Sequence, residues 1–288
     1  MVDKKAKLYE EKYLPYKGSF NGPVQSIYEI IRVGILQIFG AKRPFKNKIL
    51  IISSLLITYV PAIIMVGILF LAPPLMRGQM RIQESIPNLM SGISSIVIIL
   101  SGASAALLLC DDRKFHVTAL YFSRSLRRRE YLFGKIGAIA IVLLIITLGP
   151  SLLLFVGFCL RSYSPLKYFL THLHQLENIF LTSMVETIFL SSISLVIASF
   201  IKERNIAVGI AVSTPFVLTA VMQMLRNNLK NDIFMFFSPI DLIGTFNSYI
   251  FLGKAGYAIK MGEVILVIFS IAAFLFFLIF YRYSKVER

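Results

Sequence analysis

The sequence predicts an all-α polytopic membrane protein: six transmembrane helices, an N-terminal amphipathic interfacial helix, and short re-entrant helices before the last span. Three observations predict this fold. Hydrophobic residues make up 57% of the chain, its mean hydropathy is +0.75, and the apolar residues come in long blocks unlike those of a soluble domain. Six such blocks, residues 49–71, 89–110, 136–159, 179–201, 206–225 and 264–281, are each long enough to cross a hydrocarbon core of ~30 Å at ~1.5 Å rise per residue. If they cross in alternation, 22 of the 30 Lys and Arg residues fall on the side of the N-terminus and 8 on the other. The positive-inside rule then predicts a multi-pass protein of the cell membrane with cytoplasmic N- and C-termini.

Charge and cysteine usage exclude other classes. A net charge of +15 is compatible with nucleic acid, but the lysines and arginines sit at the ends of spans rather than on a soluble basic domain. No nucleic-acid partner is expected. Cys110 and Cys159 end successive runs that finish on opposite sides, so neither a disulfide nor a redox or zinc pattern is expected. The first 48 residues are too polar and too long for the n-region of a cleavable signal peptide.

Residues 1–48 form a first unit, a charged tail leading into the amphipathic helix. Val24, Ile27, Tyr28, Ile31, Ile35 and Ile38 fall on one helical face, and Gln25, Glu29 and Arg32 on the other. That is the pattern of a helix in the membrane interface, or of one packed on the protein's own cytosolic loops. Lys42, Arg43, Lys46 and Lys48 follow as a basic hinge. Residues 49–288 form the six-span domain. Pro61, Pro150 and Pro215 lie inside its runs, where neighbouring helices can satisfy the freed carbonyls. Ser53, Ser54 and Thr58 in the first run, with Ser213, Thr214, Thr219 and Gln223 in the fifth, have the character of helix–helix glue. The second run is rich in small residues, among them Gly92, Ser95, Ser101, Gly102, Ala105 and Ala106. These either pack helices closely within the subunit or line a path beside it.

Between the second and third runs lies the longest polar interruption, residues 111–135. Phe115, Ala119 and Phe122 stand at helical spacing, and Arg127, Arg128 and Arg129 follow as a basic cluster before Glu130. An amphipathic helix joined to a basic turn suits docking to a soluble partner. The competing reading is a solvated loop whose arginines set topology alone.

The outer loop between the third and fourth runs carries His172 and His174 near Glu177; two close histidines in a loop do not make a metal site, and none is expected. Glu186 is the only carboxylate inside the six runs. A charge there is costly, and Thr182, Ser183 and Thr187 lie within helical reach of it. It either bonds an adjacent helix structurally or faces the outer part of a translocation path. The fourth and fifth runs join through a tight cytosolic hairpin at residues 202–205. Residues 226–263 form an outer segment in which 234–239 and 242–252 are too apolar for solvent and too short to span. They are expected to be short re-entrant helices broken at Ser238-Pro239 and Gly244.

Catalytic signatures are missing. The chain has no G-x-x-x-x-G-K-S/T loop, no H-E-x-x-H, no G-x-S-x-G and no pair of carboxylates within the runs. No catalytic residues, cofactor or enzymatic activity are therefore expected of this chain itself.

The segment Ser123-Arg-Ser-Leu-Arg-Arg-Arg-Glu-Tyr-Leu-Phe-Gly-Lys135 resembles the loop after the second span in permeases of type-2 ABC exporters. Ser123, Arg124, Leu126, Arg128, Glu130, Tyr131, Gly134 and Lys135 match the pattern, and Ser125 stands where the family has proline. The tail ending in Tyr16-Lys-Gly18, the amphipathic helix and the short helices before the last span are similar to that family too. The resemblance thus covers nearly the whole chain. It implies the permease subunit of an ATP-driven exporter, paired with an identical or sister permease in the lipid bilayer. Two separate cytosolic ATPase subunits would bind the ATP and grip the loop at Asp111, Asp112, Arg113, Phe115, Ala119, Phe122, Arg127, Arg128, Arg129 and Glu130. The alternative function is an ATP-independent channel or secondary transporter. The absence of a visible repeat between the three-span halves weighs against an inverted-repeat carrier.

Overall fold

The computed structural model describes residues 22–40, 48–71, 82–115, 127–254 and 259–285. Among these there is no strand. The helices run in the order α1 (Pro23–Ile38), α2 (Ile49–Leu71), α3 (Ile82–Lys114), α4 (Arg128–Arg161), α5 (Pro165–Thr171), α6 (Leu173–Phe200) and α7 (Arg204–Leu229). A 3-10 helix (Asp232–Phe237), α8 (Pro239–Leu252) and α9 (Met261–Lys285) complete the order. Six of them, α2, α3, α4, α6, α7 and α9, are long and apolar enough to cross a membrane. Each corresponds to one of the six apolar runs, α6 ending at Phe200, one residue before its run does, giving the chain the character of a multi-pass helical membrane protein.

Helices α3 and α4 are longer than their apolar runs. At 33 and 34 residues they take in residues 111–114 and 128–135, which the sequence assigns to the polar loop. Of the charged side chains at these ends, Asp112, Arg113 and Lys135 find partners inside the bundle rather than in water. The connection between them is correspondingly short, and Ala119 and Phe122 lie outside the described residues, as do the hinge residues Lys42, Arg43 and Lys46.

The three innermost helices are α3, α4 and α6, with α2, α7 and α9 on the perimeter. Residues 101–110 of α3 are buried throughout. A Cβ on Gly102 would stand 3.0 Å from Val212 Cγ2 on α7, so this glycine lets two backbones approach. The Ser101 and Ser194 hydroxyls meet at 2.8 Å between α3 and α6. The small residues at 101–106 therefore pack helices within the subunit. The perimeter helices expose apolar side chains such as Leu56, Ile63, Val217, Met224, Phe269 and Phe277, as surfaces in contact with lipid tails or other apolar helices do.

Of the polar residues read as glue, only Thr219 and Gln223, in the C-terminal half of α7, join helices. Thr219 Oγ1 accepts from Ile240 N–H and Gln223 donates to Asp241 of α8 at 2.9 Å. Ser53, Ser54, Thr58, Ser213 and Thr214 instead donate to carbonyls of their own helix, the usual local competitor for a hydroxyl.

Helix α1 packs along the start of α4 through a seam of small residues. A Cβ on Gly134 would lie 2.5 Å from Ile30 Cγ2, so only glycine admits this approach. The buried face of α1 runs through Ile30, Gly34 and Ile38, while Val24 and Tyr28 are exposed. Of the apolar face read off the sequence, Ile27, Ile31 and Ile35 are half-buried and Ile38 is buried, and the contact is centred on the glycines that let α1 and α4 approach. Val33 and Leu36 are exposed too, interleaved with Tyr28 around the outer surface of α1 among Gln25, Glu29 and Arg32.

In the distal connection, the 3-10 helix and α8 correspond to the two short elements expected at 234–239 and 242–252, divided at Ser238. Gly244 does not break α8, which continues to a C-cap at Gly253 with φ +67°, a left-handed conformation that suits glycine. Helix α5 and the first turns of α6, over 165–178, were not legible in the sequence.

Candidate functional site

Two clusters of buried polar groups stand out, one at each end of the bundle. The basal cluster gathers where α3 ends and α4 begins. Lys135 Nζ lies 2.6 Å from Asp112 Oδ2, and Tyr131 donates its hydroxyl to the same oxygen at 2.8 Å. Asp112 is 6% exposed, Lys135 1% and Tyr131 0%. Buried ions persist only when paired and hydrogen-bonded, and this trio meets both conditions. It fixes the end of α3 against the first two turns of α4.

Neighbouring groups extend the cluster. Helix α6 ends with carbonyls that lack intrahelical partners, and two arginines bind them. Arg113 of α3 donates to Ser199 O and Arg282 Nε of α9 donates to the same oxygen at 2.6 Å. Cations suit a helix C-terminus electrostatically as well. Glu130 accepts from Arg127 N–H at 3.1 Å and caps α4, and Arg128 donates to Ser284 O of α9 at 3.0 Å. On the basal surface, Lys114 pairs with Glu203 at 3.2 Å and Asp111 with Arg204 at 3.7 Å. These bonds link α3, α4, α6, α7 and α9 at one level.

The residues named from the sequence therefore divide in two. Asp112 is turned inward, and Arg113 binds the end of α6. Phe115, 70% exposed, and Arg127 and Arg129, also exposed, stand at the surface where the chain leaves α3 and enters α4. Sequence reasoning missed Lys135 and Arg282 as cluster members. In the sequence Lys135 stands out only as a motif residue, and nothing local marks it as the partner of Asp112 across the helix interface.

Toward the other end, Glu186 of α6 is 1% exposed. Its Oε1 accepts from Ser94 of α3 at 2.6 Å, whereas its Oε2 and the hydroxyls of Ser183 and Thr187 have no hydrogen-bond partner among the described residues. Ser94 also borders a cavity of about 450 Å³ between α3 and α8, lined as well by Ser91, Asp241, Thr245 and Ser248. Asp241 caps α8 reciprocally with Ser238, which donates to its Oδ2 at 2.8 Å. The hydroxyls expected to serve Glu186 from its own helix do not; its partner comes across the helix interface. His172 stacks on Tyr168 with ring centroids 4.0 Å apart, and among the described residues no three His, Cys, Asp or Glu gather to hold a metal ion.

No protein-family model matches the chain, and no curated protein matches it.

Proposed function

We propose that this chain is the membrane-spanning permease subunit of an ATP-driven exporter of the type-2 ABC kind, coupled to separate cytosolic ATPase subunits. The observation that carries the reading is the fit between the segment that resembles those permeases and the work its residues do. Glu130 caps α4, Tyr131 and Lys135 hold Asp112, and Gly134 admits α1. A loop that receives force from a partner must be tied rigidly to the spans it moves, and these contacts tie residues 111–115 and 127–135 to most of the bundle.

In this reading the basal end is cytosolic and both termini lie there. Helix α1 is the interfacial helix, its exposed Val24 and Tyr28 facing lipid. The 3-10 helix and α8 re-enter the membrane from the outer side; the bond from Ile240 to Thr219, well inside α7, favours that course. A second permease, identical or related, faces the exposed perimeter helices. Phe115 with Ala119 and Phe122 contacts the ATPase, Arg127, Arg128 and Arg129 form the rim, and Glu186 lies beside the outer part of the path.

The experiment is reconstitution in proteoliposomes with and without an ATPase that co-purifies with the chain. Cargo movement that requires ATP and a functional Walker A lysine in that ATPase supports the reading. Movement without any ATPase replaces it with the channel or secondary-transporter alternative, which the buried Glu186 would then serve.

A further inference from the structure

We infer that the cavity between α3 and α8 is a binding site for a primary ammonium group. This goes beyond the exporter reading: it stands on the cavity's own chemistry, and its test needs no ATPase.

The argument is an account of protons. A hydroxyl has one hydrogen to give and lone pairs left over, and every hydroxyl lining the cavity has given its hydrogen away. Ser91 donates to Pro87 O at 2.9 Å and Ser248 to Gly244 O at 2.9 Å. Ser94 donates to Glu186 Oε1 at 2.6 Å and Thr245 to Met235 Sδ at 3.3 Å. Asp241 contributes only acceptors. The first N–H groups of α8 might have offered donors, but Ile240 N is taken by Thr219 and Asp241 N by Ser238. What the walls present is oxygen lone pairs and negative charge.

Asp241, the carboxylate that lines the cavity, accepts one bond at each oxygen, from Gln223 and Ser238, keeps further lone pairs, and has no cationic partner among the described residues. A cavity made of acceptors is complemented by a group made of donors. An alkylammonium carries three N–H donors and a positive charge, and it meets both needs. A quaternary ammonium has no N–H to give and is typically held by aromatic faces, and no aromatic side chain lines this cavity. At about 450 Å³ the space exceeds a bare ion and admits the group with a short stem. The stem belongs either to a free amine or to the headgroup of an ethanolamine lipid, since both present the same chemistry.

The test measures labelled ethanolamine binding to the purified full chain in nanodiscs of phosphatidylcholine. Expected is saturable binding that ethylene glycol and choline displace at least tenfold less well than unlabelled ethanolamine. Asp241→Asn should weaken it at least tenfold. Because Asp241 also caps α8, the double variant Ser91→Ala/Ser248→Ala provides a second probe; those hydroxyls bond only their own helix, so the fold is kept, and the same loss is expected. In discs containing phosphatidylethanolamine, loss of ethanolamine binding assigns the site to the lipid headgroup, and retained binding assigns it to a free amine. Absence of saturable binding overturns the inference. So does displacement by ethylene glycol or choline as effective as by ethanolamine, or unchanged affinity in both folded variants.

Discussion

Lys135 and Asp112 form an ion pair 2.6 Å long inside the basal end of the bundle, joining α4 to α3. Removing one partner leaves the other charge buried without compensation. Lys135→Ala is therefore expected to cost about 3–5 kcal/mol. Asp112→Leu with Lys135→Met, which leaves no charge behind, should cost far less. Denaturation of the purified variants in detergent measures both; a single variant as stable as the parent would contradict the pairing.

Tyr131 adds a hydrogen bond to the same carboxylate. Tyr131→Phe keeps the ring and its packing near Tyr283 and removes the bond to Asp112, so a loss of about 1.5–3 kcal/mol is expected. The same denaturation assay decides it, and the loss should vanish in the uncharged double variant, where no carboxylate remains.

Gly134 admits Ile30 of α1. Gly134→Val places side-chain atoms where Ile30 sits, an overpacking that costs about 1–3 kcal/mol and should lift α1 from α4. Spin labels at the exposed positions Tyr28 and Phe133 are expected to move apart. Ile30→Ala in the same chain should bring them back, because it empties the contested space.

Orientation is tested by cysteine labelling in intact cells. Cys110 and Cys159 are both buried, so the native background should be low. Cysteines at the exposed positions Lys167 and Lys254 are expected to react with an impermeant thiol reagent, and one at exposed Arg129 is not. Reversed labelling contradicts the proposed topology and the docking surface with it.

How far the sequence reached depends on whether a feature is local. Six helices long and apolar enough to cross a membrane were legible because composition and length alone set them. The division at Ser238-Pro239 was legible because a capping residue followed by proline marks a helix start. What escaped depends on partners distant in sequence. Asp112 and Lys135 look like surface charges at the ends of two runs, and only their burial opposite each other makes them interior. Glu186 sits among hydroxyls on its own helix, yet its partner is Ser94, on α3. On α1 the predicted apolar face is split: Ile27, Ile31, Ile35 and Ile38 lie half-buried or buried while Val24 and Tyr28 are exposed, and the close approach to α4 is set by Gly34 and Gly134. Gly244 looked like a break, but α8 continues through it.

The central claim is that the basal surface around Phe115 meets a separate ATPase. The most direct measurement replaces Phe115, exposed at the end of α3, with a photo-crosslinking amino acid in the full chain and irradiates intact cells. The account predicts a crosslinked product containing a chain with a Walker A motif. It also predicts that product to weaken when Arg127, Arg128 and Arg129 are replaced by Glu, since reversed rim charge disfavours encounter. A crosslinker at Phe115 that yields no ATPase chain, in cells where the protein moves its cargo, would contradict the account.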